Sequence, residues 1–211
     1  MSMDHRKTIG FVFIDGFADW EFGMLSGATA DWFGGRAVAL SPVFGSPGSG
    51  SPESGPLRSI GGFRLLPDRG TGLADNEDLD AVAVIGSDKW SDEDAPDIGE
   101  LLKTVLSRGG IVGGICAGTL TLARAGLFEG RKHTSNGPGW LESRIGRYVG
   151  AQLYQDVPYA IRDGHVVSAA GTAPGTFATT FLEAVFPEQA AQVAEMRQLV
   201  GREYEAGEER A

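Results

Sequence analysis

The stretch GGIVGGICAGTLTLARAGLFEGRKHTSN, Gly109 to Asn136, contains the only cysteine of the chain. Cys116 follows a run of glycine, isoleucine and valine that predicts a buried strand, and it precedes a segment with helical periodicity. Gly114, Cys116 and Gly118 fit the glycine–x–nucleophile–x–glycine pattern of a sharp strand-to-helix turn that exposes a reactive side chain. The pattern favours a nucleophile over the alternative, a small apolar cysteine that fills the core.

Apolar, β-rich runs alternate with helical patterns along the rest of the chain. This alternation predicts an α/β fold in three layers, with helices on both faces of a mostly parallel sheet. The predicted core strands are 9–14, 36–40, 79–86 and 109–115, with a short strand at 131–136. A hairpin or bent strand is predicted at 58–68, and a second hairpin turns at Asp163-Gly164. The predicted helices start near Asp19 and cover 97–108, 117–125, 173–185 and 187 to about 200.

Length and composition fit one domain. The chain has 211 residues, of which 42% are hydrophobic, and this suits a single α/β core. We place that core at about 8–186, with a Gly/Ser/Pro-rich surface loop at 45–56. A C-terminal helix and a charged tail occupy 187–211.

The charge balance and the rare residue types exclude several function classes. Eighteen basic and 28 acidic side chains give a net charge of −10, so a nucleic-acid partner is disfavoured. The first apolar segment is too short for a signal sequence or a membrane span, and we expect a cytoplasmic protein. The 3 histidines are too scattered for a metal site, and no nucleotide-binding glycine motif occurs. We therefore expect a small-molecule substrate and no cofactor.

Ligands of open parallel sheets bind beyond the carboxyl ends of the strands. Three predicted loops leave from such ends: DGFADWE after the first strand, GSDKW after the third, and CAG at the cysteine. A cysteine at a helix amino terminus faces unpaired N–H groups, so we expect the pKa of Cys116 to be lowered.

The segments GGICAGTLTLARAGLFEGRKHTSNG, GFADWE and SIGGFRLLPD resemble the ThiJ/PfpI superfamily, which has the class I glutamine amidotransferase-like fold. The resemblance covers about residues 8–186. It implies a flavodoxin-like, doubly wound sheet with a nucleophile elbow, and a homodimer. It also implies an acid from the first loop beside the cysteine. The spacing from Gly16 matches Glu21, although a solvated charge is the alternative for Glu21; we interpret Asp19 as a helix N-cap.

The resemblance also implies an oxyanion hole of backbone N–H groups at Ala117, Gly86 and Ser87. Relatives carry proline and two glycines where this chain has Ile85-Gly86-Ser87. A serine can supply the same N–H group only where the backbone does not need a positive φ.

A catalytic histidine is not secured. Ala117 stands where many relatives have a histidine directly after the cysteine, and the histidine of deglycase-like relatives maps to Asn136. His133 is a further candidate, but in a regular strand it faces away from that position. Trp20, Trp90 and Trp140 are candidates for the pocket wall, with core or dimer packing as the ordinary alternative.

Members that lack the histidine, such as isonitrile hydratases, use an acid in the first loop. By this resemblance we expect a Cys116 nucleophile that adds water to a small electrophile, with Glu21 shuttling the proton. Protease-like or amidase-like members are the other near relatives, but peptide hydrolysis needs a positioned acid. The alternatives are a redox sensor that oxidises Cys116 to sulfinic acid without turnover, and a catalytically inactive binding domain.

Overall fold

A computed structural model describes residues 6–42 and 55–208. The predicted Gly/Ser/Pro-rich loop at 45–56 lies outside the described residues except for its last two positions. The strands are β1 (Thr8–Val12), β2 (Arg36–Leu40), β3 (Leu57–Arg58), β4 (Arg64–Leu65), β5 (Ala81–Val84), β6 (Ile111–Ile115), β7 (Ile161–Asp163) and β8 (Val166–Ala169). The α-helices are α1 (Gly23–Asp31), α2 (Gly99–Ser107), α3 (Thr119–Arg124), α4 (Trp140–Ile145), α5 (Pro174–Val185) and α6 (Ala190–Glu208).

Six strands form the central sheet in the order β2-β1-β5-β6-β8-β7. Neighbouring strands pair in parallel except β7, which pairs antiparallel with β8. The predicted hairpin at 58–68 is present as the separate antiparallel pair β3-β4. The parallel strands β1, β5, β6 and β8 therefore point their carboxyl ends toward one edge of the sheet, and the flavodoxin-like, mostly parallel fold is confirmed.

Both faces of the sheet are buried by helices, as a parallel sheet requires. Side chains of β1 alternate between the two faces: Ile9 and Phe11 lie in one hydrophobic cluster, and Val12 lies in the other. The first cluster includes Phe177 and Phe181 of α5, and the second includes apolar residues of α2 and α3. The four predicted inward residues of α2 are all buried: Ile98, Leu101, Leu102 and Val105.

Two predicted elements differ from the structure. Residues 131–136 form no strand; His133 makes only an isolated bridge to Tyr154. The predicted end of the last helix near residue 200 is also wrong, since α6 continues to Glu208 through most of the charged segment. None of the helices in the described ranges has both the length and the apolar composition that crossing a bilayer requires.

The turn after β6 depends on a close approach between two backbones. A Cβ atom on Gly118 would collide with the carbonyl group of Val84 in β5, with 2.9 Å to the carbonyl carbon. Backbone atoms of a central strand cannot move aside without breaking the sheet. The second glycine of the elbow therefore lets the chain turn directly over β5 and start α3.

We expect Gly118→Ala to lower the free energy of unfolding by about 1–3 kcal/mol, because the overpacked backbone cannot relax. Gly27→Ala is the matched control, since Gly27 lies inside α1 with open space at its Cβ position. The control should leave stability unchanged or raise it by up to about 1 kcal/mol. Urea unfolding of both variants measures the difference, and equal stabilities would contradict the packing argument.

Candidate active site

Cys116 occupies a strained turn at the carboxyl end of β6. Its φ is 54°, and it is the one non-glycine residue with positive φ in the described ranges. Ile115 before it is extended, and a 3-10 turn over Cys116–Gly118 leads into α3. The Thr119 hydroxyl donates to the Cys116 carbonyl at 2.6 Å and fixes the turn. Strain of this kind costs about 1–3 kcal/mol and is typical of functional positions.

Glu21 lies at the centre of the site and is only 2% exposed. Its Oε2 accepts a hydrogen bond of 2.7 Å from the Gly86 N–H group, whereas its Oε1 is buried without a geometrically sound hydrogen bond. A Cβ atom on Gly171 would lie 2.9 Å from Cys116 Sγ and 3.2 Å from Glu21 Oε1. The thiol and the unpaired carboxyl oxygen therefore face the same glycine, and the structure brings the two predicted groups together.

Burial dominates the titration of this pair. It raises the pKa of Glu21 to about 7, against the smaller lowering by the Gly86 N–H group and the Cys116 thiol. Burial, and then the charge of Glu21, raise the pKa of Cys116 to about 11, although hydrogen bonds from Asn136 and from the Ala117 N–H group lower it. The expected low thiol pKa is therefore wrong. The helix that follows has only six residues, so its dipole is small and does not offset desolvation and a neighbouring carboxyl.

Asn136 touches the nucleophile directly. Its Nδ2 donates to Cys116 Sγ at 3.2 Å, and its Oδ1 accepts from the Gly171 N–H group at 2.9 Å. Since a backbone N–H can only donate, the amide oxygen must face Gly171 and the amide nitrogen must face sulfur. Asn136 is thus a hydrogen-bond donor to sulfur and cannot serve as a base.

The three N–H groups predicted to form the oxyanion hole differ in their hydrogen-bond partners. The Gly86 N–H group is occupied by Glu21, so its assignment to the oxyanion hole is wrong. Ser87 has φ −153°, an extended conformation that serine adopts without strain. The N–H group of Ser87 has no hydrogen-bond partner among the described residues. The Ala117 N–H group faces sulfur, which leaves Ala117 and Ser87 as candidate donors.

Two predicted accessory residues are buried and bond other partners than the sulfur. His133 is fully buried, stacks on Phe128 and bonds Tyr148 through Nε2 at 2.7 Å. Trp90 is also fully buried, and its N–H group donates to the Ile85 carbonyl at 2.9 Å. Both are core residues, held by buried partners.

Other predicted positions have specific partners. Trp20 is 54% exposed, and its N–H group donates to the Gly171 carbonyl at 3.0 Å, so its indole lies at the rim of the site. Trp140 carries the Arg144 guanidinium over its ring instead. The N-cap interpretation of Asp19 is wrong: its carboxylate accepts from Gly61 N–H at 2.8 Å and anchors the β3-β4 hairpin.

Sequence reasoning missed Gly171, which is hydrogen-bonded to Asn136 and Trp20 and has no side chain to fill the space beside the sulfur and Glu21. A signal was available, because Gly171 follows β8, whose carboxyl end lies at the same edge as that of β6. The rule that ligands bind beyond these ends applies to this fourth loop as well.

The comparisons with known proteins agree with this fold. The DJ-1/PfpI family model matches residues 7–184, and the chain belongs to this family. A structure of a DJ-1 superfamily protein from Agrobacterium tumefaciens superposes with a TM-score of 0.79 at 31% identity, covering 94% of this chain and 99% of that one. A thiJ/pfpI family protein from Bacillus anthracis gives 0.71 at 27% identity, covering 85% and 83%. The Bacillus subtilis (strain 168) relative named "Uncharacterized protease YoaZ" is 28% identical over 183 residues, which is 86% of this chain and 84% of that protein.

The buried carboxyl makes stability depend on pH. The folded-state pKa of Glu21 is raised to about 7 from an ordinary 4.5, so between these values the folded state holds a proton that the unfolded state has lost. Stability therefore falls as pH rises through this range. The Glu21→Gln variant lacks this titrating carboxyl. The free energy of unfolding of the variant, relative to that of wild type, should therefore rise by up to about 3 kcal/mol between pH 5 and pH 8.

Urea unfolding of wild type and Glu21→Gln at both pH values measures this difference. The comparison with wild type at each pH cancels the titration of all other groups. Parallel pH dependence of the two proteins would show that Glu21 is not buried as a neutral acid.

Proposed function

We propose that the protein is a cysteine-dependent enzyme that adds water to a small electrophile by hydration or hydrolysis. The observation that carries this proposal is the buried Glu21 Oε1, which has no geometrically sound hydrogen bond and lies beside the strained Cys116 thiol. A carboxyl with a pKa near the working pH is suited to take a proton and return it.

In the proposed reaction the thiol is charged only at the moment of attack. The Cys116 sulfur bonds to the electrophilic carbon while its proton moves to the Glu21 carboxylate. The negative charge that develops on the substrate heteroatom is met by the N–H groups of Ala117 and Ser87, each able to contribute about 3 kcal/mol. Protonated Glu21 then gives its proton to the substrate; in a hydrolysis the leaving group departs with this proton, whereas in a hydration nothing leaves. Water attacks the carbon bound to sulfur with Glu21 accepting its proton. The carbon–sulfur bond breaks as Glu21 passes this proton to sulfur, which restores the Cys116 thiol.

The titration of the pair favours an enzyme over a redox sensor. A peroxide-sensing cysteine needs a standing thiolate, whereas the pKa of Cys116 is raised to about 11. An enzyme with a proton acceptor in place needs no standing thiolate, because Glu21 accepts the proton during attack.

The electrostatics of the site favour an uncharged substrate. Among the described residues, no lysine or arginine forms an ion pair with Glu21, and the chain carries a net charge of −10. A carboxylate or phosphate would approach a carboxyl without a compensating cation. The relative named "Glutathione-independent glyoxalase DJR-1.2" from Caenorhabditis elegans, 35% identical over 77 residues, supports trying a dicarbonyl first.

We expect wild type to consume at least one of methylglyoxal, an isonitrile and p-nitrophenyl acetate, and Cys116→Ala to consume none. Because Glu21 must be ionised to accept the thiol proton, the rate should rise with pH through about 7. In Glu21→Gln the rate should no longer rise with pH, and it should be lower than in wild type by about a hundredfold or more, as expected for general acid–base catalysis. Substrate loss measured from pH 5 to pH 9 tests both expectations.

The same samples separate the alternatives. Intact mass after mild peroxide shows whether Cys116 forms a sulfinic acid, and this product without turnover supports the sensor. Neither turnover nor oxidation supports a binding domain. A rate that is identical in Glu21→Gln and wild type would overturn the assignment of the acid.

We also propose that the protein acts as a cytoplasmic homodimer with a small-molecule substrate and without nucleic-acid or membrane partners. The family resemblance and the negative net charge support this. Three large apolar side chains project from the β3-β4 hairpin: Ile60, Phe63 and Leu66. Their exposure favours a second copy as the occupant of this surface.

Light scattering in solution should give twice the mass of the chain. Phe63→Ser, at a side chain that is 72% exposed, should shift the equilibrium toward the monomer at micromolar concentration. Trp32→Ser, at an exposed tryptophan beyond α1, serves as the control and should remain dimeric. A monomeric wild type would contradict the proposal.

A further inference from the structure

The loop that carries Asn136 has an irregular backbone that no helix or strand hydrogen bonding holds in place. Residues 134–139 belong to no helix or strand, and Gly137 has φ 130°. Yet the Asn136 amide must be held in place to donate to sulfur and to accept from Gly171 at the same time. Some other group must therefore fix the backbone of this loop.

The Tyr154 hydroxyl makes this contact on both sides of Asn136. It donates to the Ser135 carbonyl at 3.2 Å, and it accepts from the N–H groups of Gly137 at 3.1 Å and Ser135 at 3.4 Å. One donated and two accepted hydrogen bonds are the full capacity of a phenol. All three hydrogen bonds of this hydroxyl go to Ser135 and Gly137, the two residues that flank Asn136.

Tyr154 is itself held by the core. Its ring meets the His133 ring edge-on at 5.7 Å, and the N–H group of the next residue, Gln155, donates to the His133 carbonyl at 2.8 Å. A second tie joins the loop to the elbow, since the hydroxyls of Ser135 and Thr119 lie 2.7 Å apart. The buried His133 thus serves the site indirectly, as the support of Tyr154.

We propose that Tyr154 is a positioning residue for the nucleophile: its hydroxyl fixes the residues on both sides of Asn136, so that the Asn136 amide meets the Cys116 sulfur. Tyr154 touches no reacting atom and acts only through Asn136. The inference rests on the proposed role of Cys116 as the nucleophile.

Alkylation of the thiol by iodoacetamide tests this without any substrate, and Cys116 is the only cysteine of the chain. Since the hydrogen bond from Asn136 lowers the pKa of Cys116, losing it should move the pH profile of alkylation upward. We expect Asn136→Ala and Tyr154→Phe each to slow alkylation at pH 8 by about threefold to tenfold, the effect of one hydrogen bond. The double variant should match Asn136→Ala alone, because Tyr154 has no second route to sulfur.

Tyr148→Phe is the matched control. Tyr148 belongs to the same aromatic cluster and bonds His133 through its hydroxyl, but its hydroxyl has no hydrogen bond to residues 135–137. It should lower the melting temperature and leave the pH profile of alkylation unchanged, because His133 keeps its stack on Phe128 and its contact with the Arg131 carbonyl and so still supports Tyr154. A wild-type profile in Tyr154→Phe would overturn the proposal, and so would a Tyr154→Phe effect that persists in full beside Asn136→Ala.

A measurement on wild type covers the case in which Tyr154→Phe does not fold. The Gly137 amide hydrogen should exchange slowly despite its place in an irregular loop, because the Tyr154 oxygen accepts it. Exchange at the rate of an open loop would overturn the proposal. If wild type turns over no substrate but Tyr154→Phe still alters alkylation, the proposed enzyme activity is rejected and the positioning role of Tyr154 stands.

Discussion

The site depends on the Glu21 carboxyl group, which is buried next to the Cys116 thiol. This carboxyl has too few hydrogen-bond donors around it to be ionised as easily as a glutamate in water. Glu21 receives one backbone hydrogen bond, at Oε2, and its other oxygen faces the sulfur side of Gly171. Water would stabilise a carboxylate far better than this environment does. The site therefore resists a second negative charge, and a proton shared by the pair becomes available to chemistry near neutral pH.

The fold supplies this arrangement at one edge of the sheet. Loops after β1, β5, β6 and β8 bring Glu21, Gly86, Cys116 and Gly171 together. The last three lie directly beyond the carboxyl ends of their strands, and Glu21 is at the end of the 3-10 turn Asp19–Glu21 that follows β1. Close backbone packing at Gly118 turns the chain so sharply that Cys116 takes a positive φ. Glycine at 171 leaves room for sulfur and carboxyl on the same side. The rigid layers on both faces hold these loops, so strain at the elbow is tolerated.

Much of this architecture could be predicted, because its signals are local. The buried strands, the hairpin of β7 and β8 and the inward stripe of α2 follow directly from periodicity and turn chemistry. The turn of this hairpin is at Gly164 and His165, one residue later than predicted. The pairing of Glu21 with Cys116 followed from the resemblance. The pKa of the thiol could not be predicted, because it depends on how deeply the pair is buried. Trp90 and His133 lie in the core, which agrees with the ordinary packing role of a tryptophan and with the alternation that turned His133 away from the position of Asn136.

The central claim is that burial keeps Glu21 neutral until pH approaches 7, which lets it exchange a proton with Cys116. Carbon-13 NMR of the glutamate side-chain carboxyl carbons tests it most directly, with the Glu21 signal assigned by its absence in Glu21→Gln. The account predicts a titration midpoint near 7 for this carbon. A midpoint near 4.5, the ordinary value for glutamate, would contradict it.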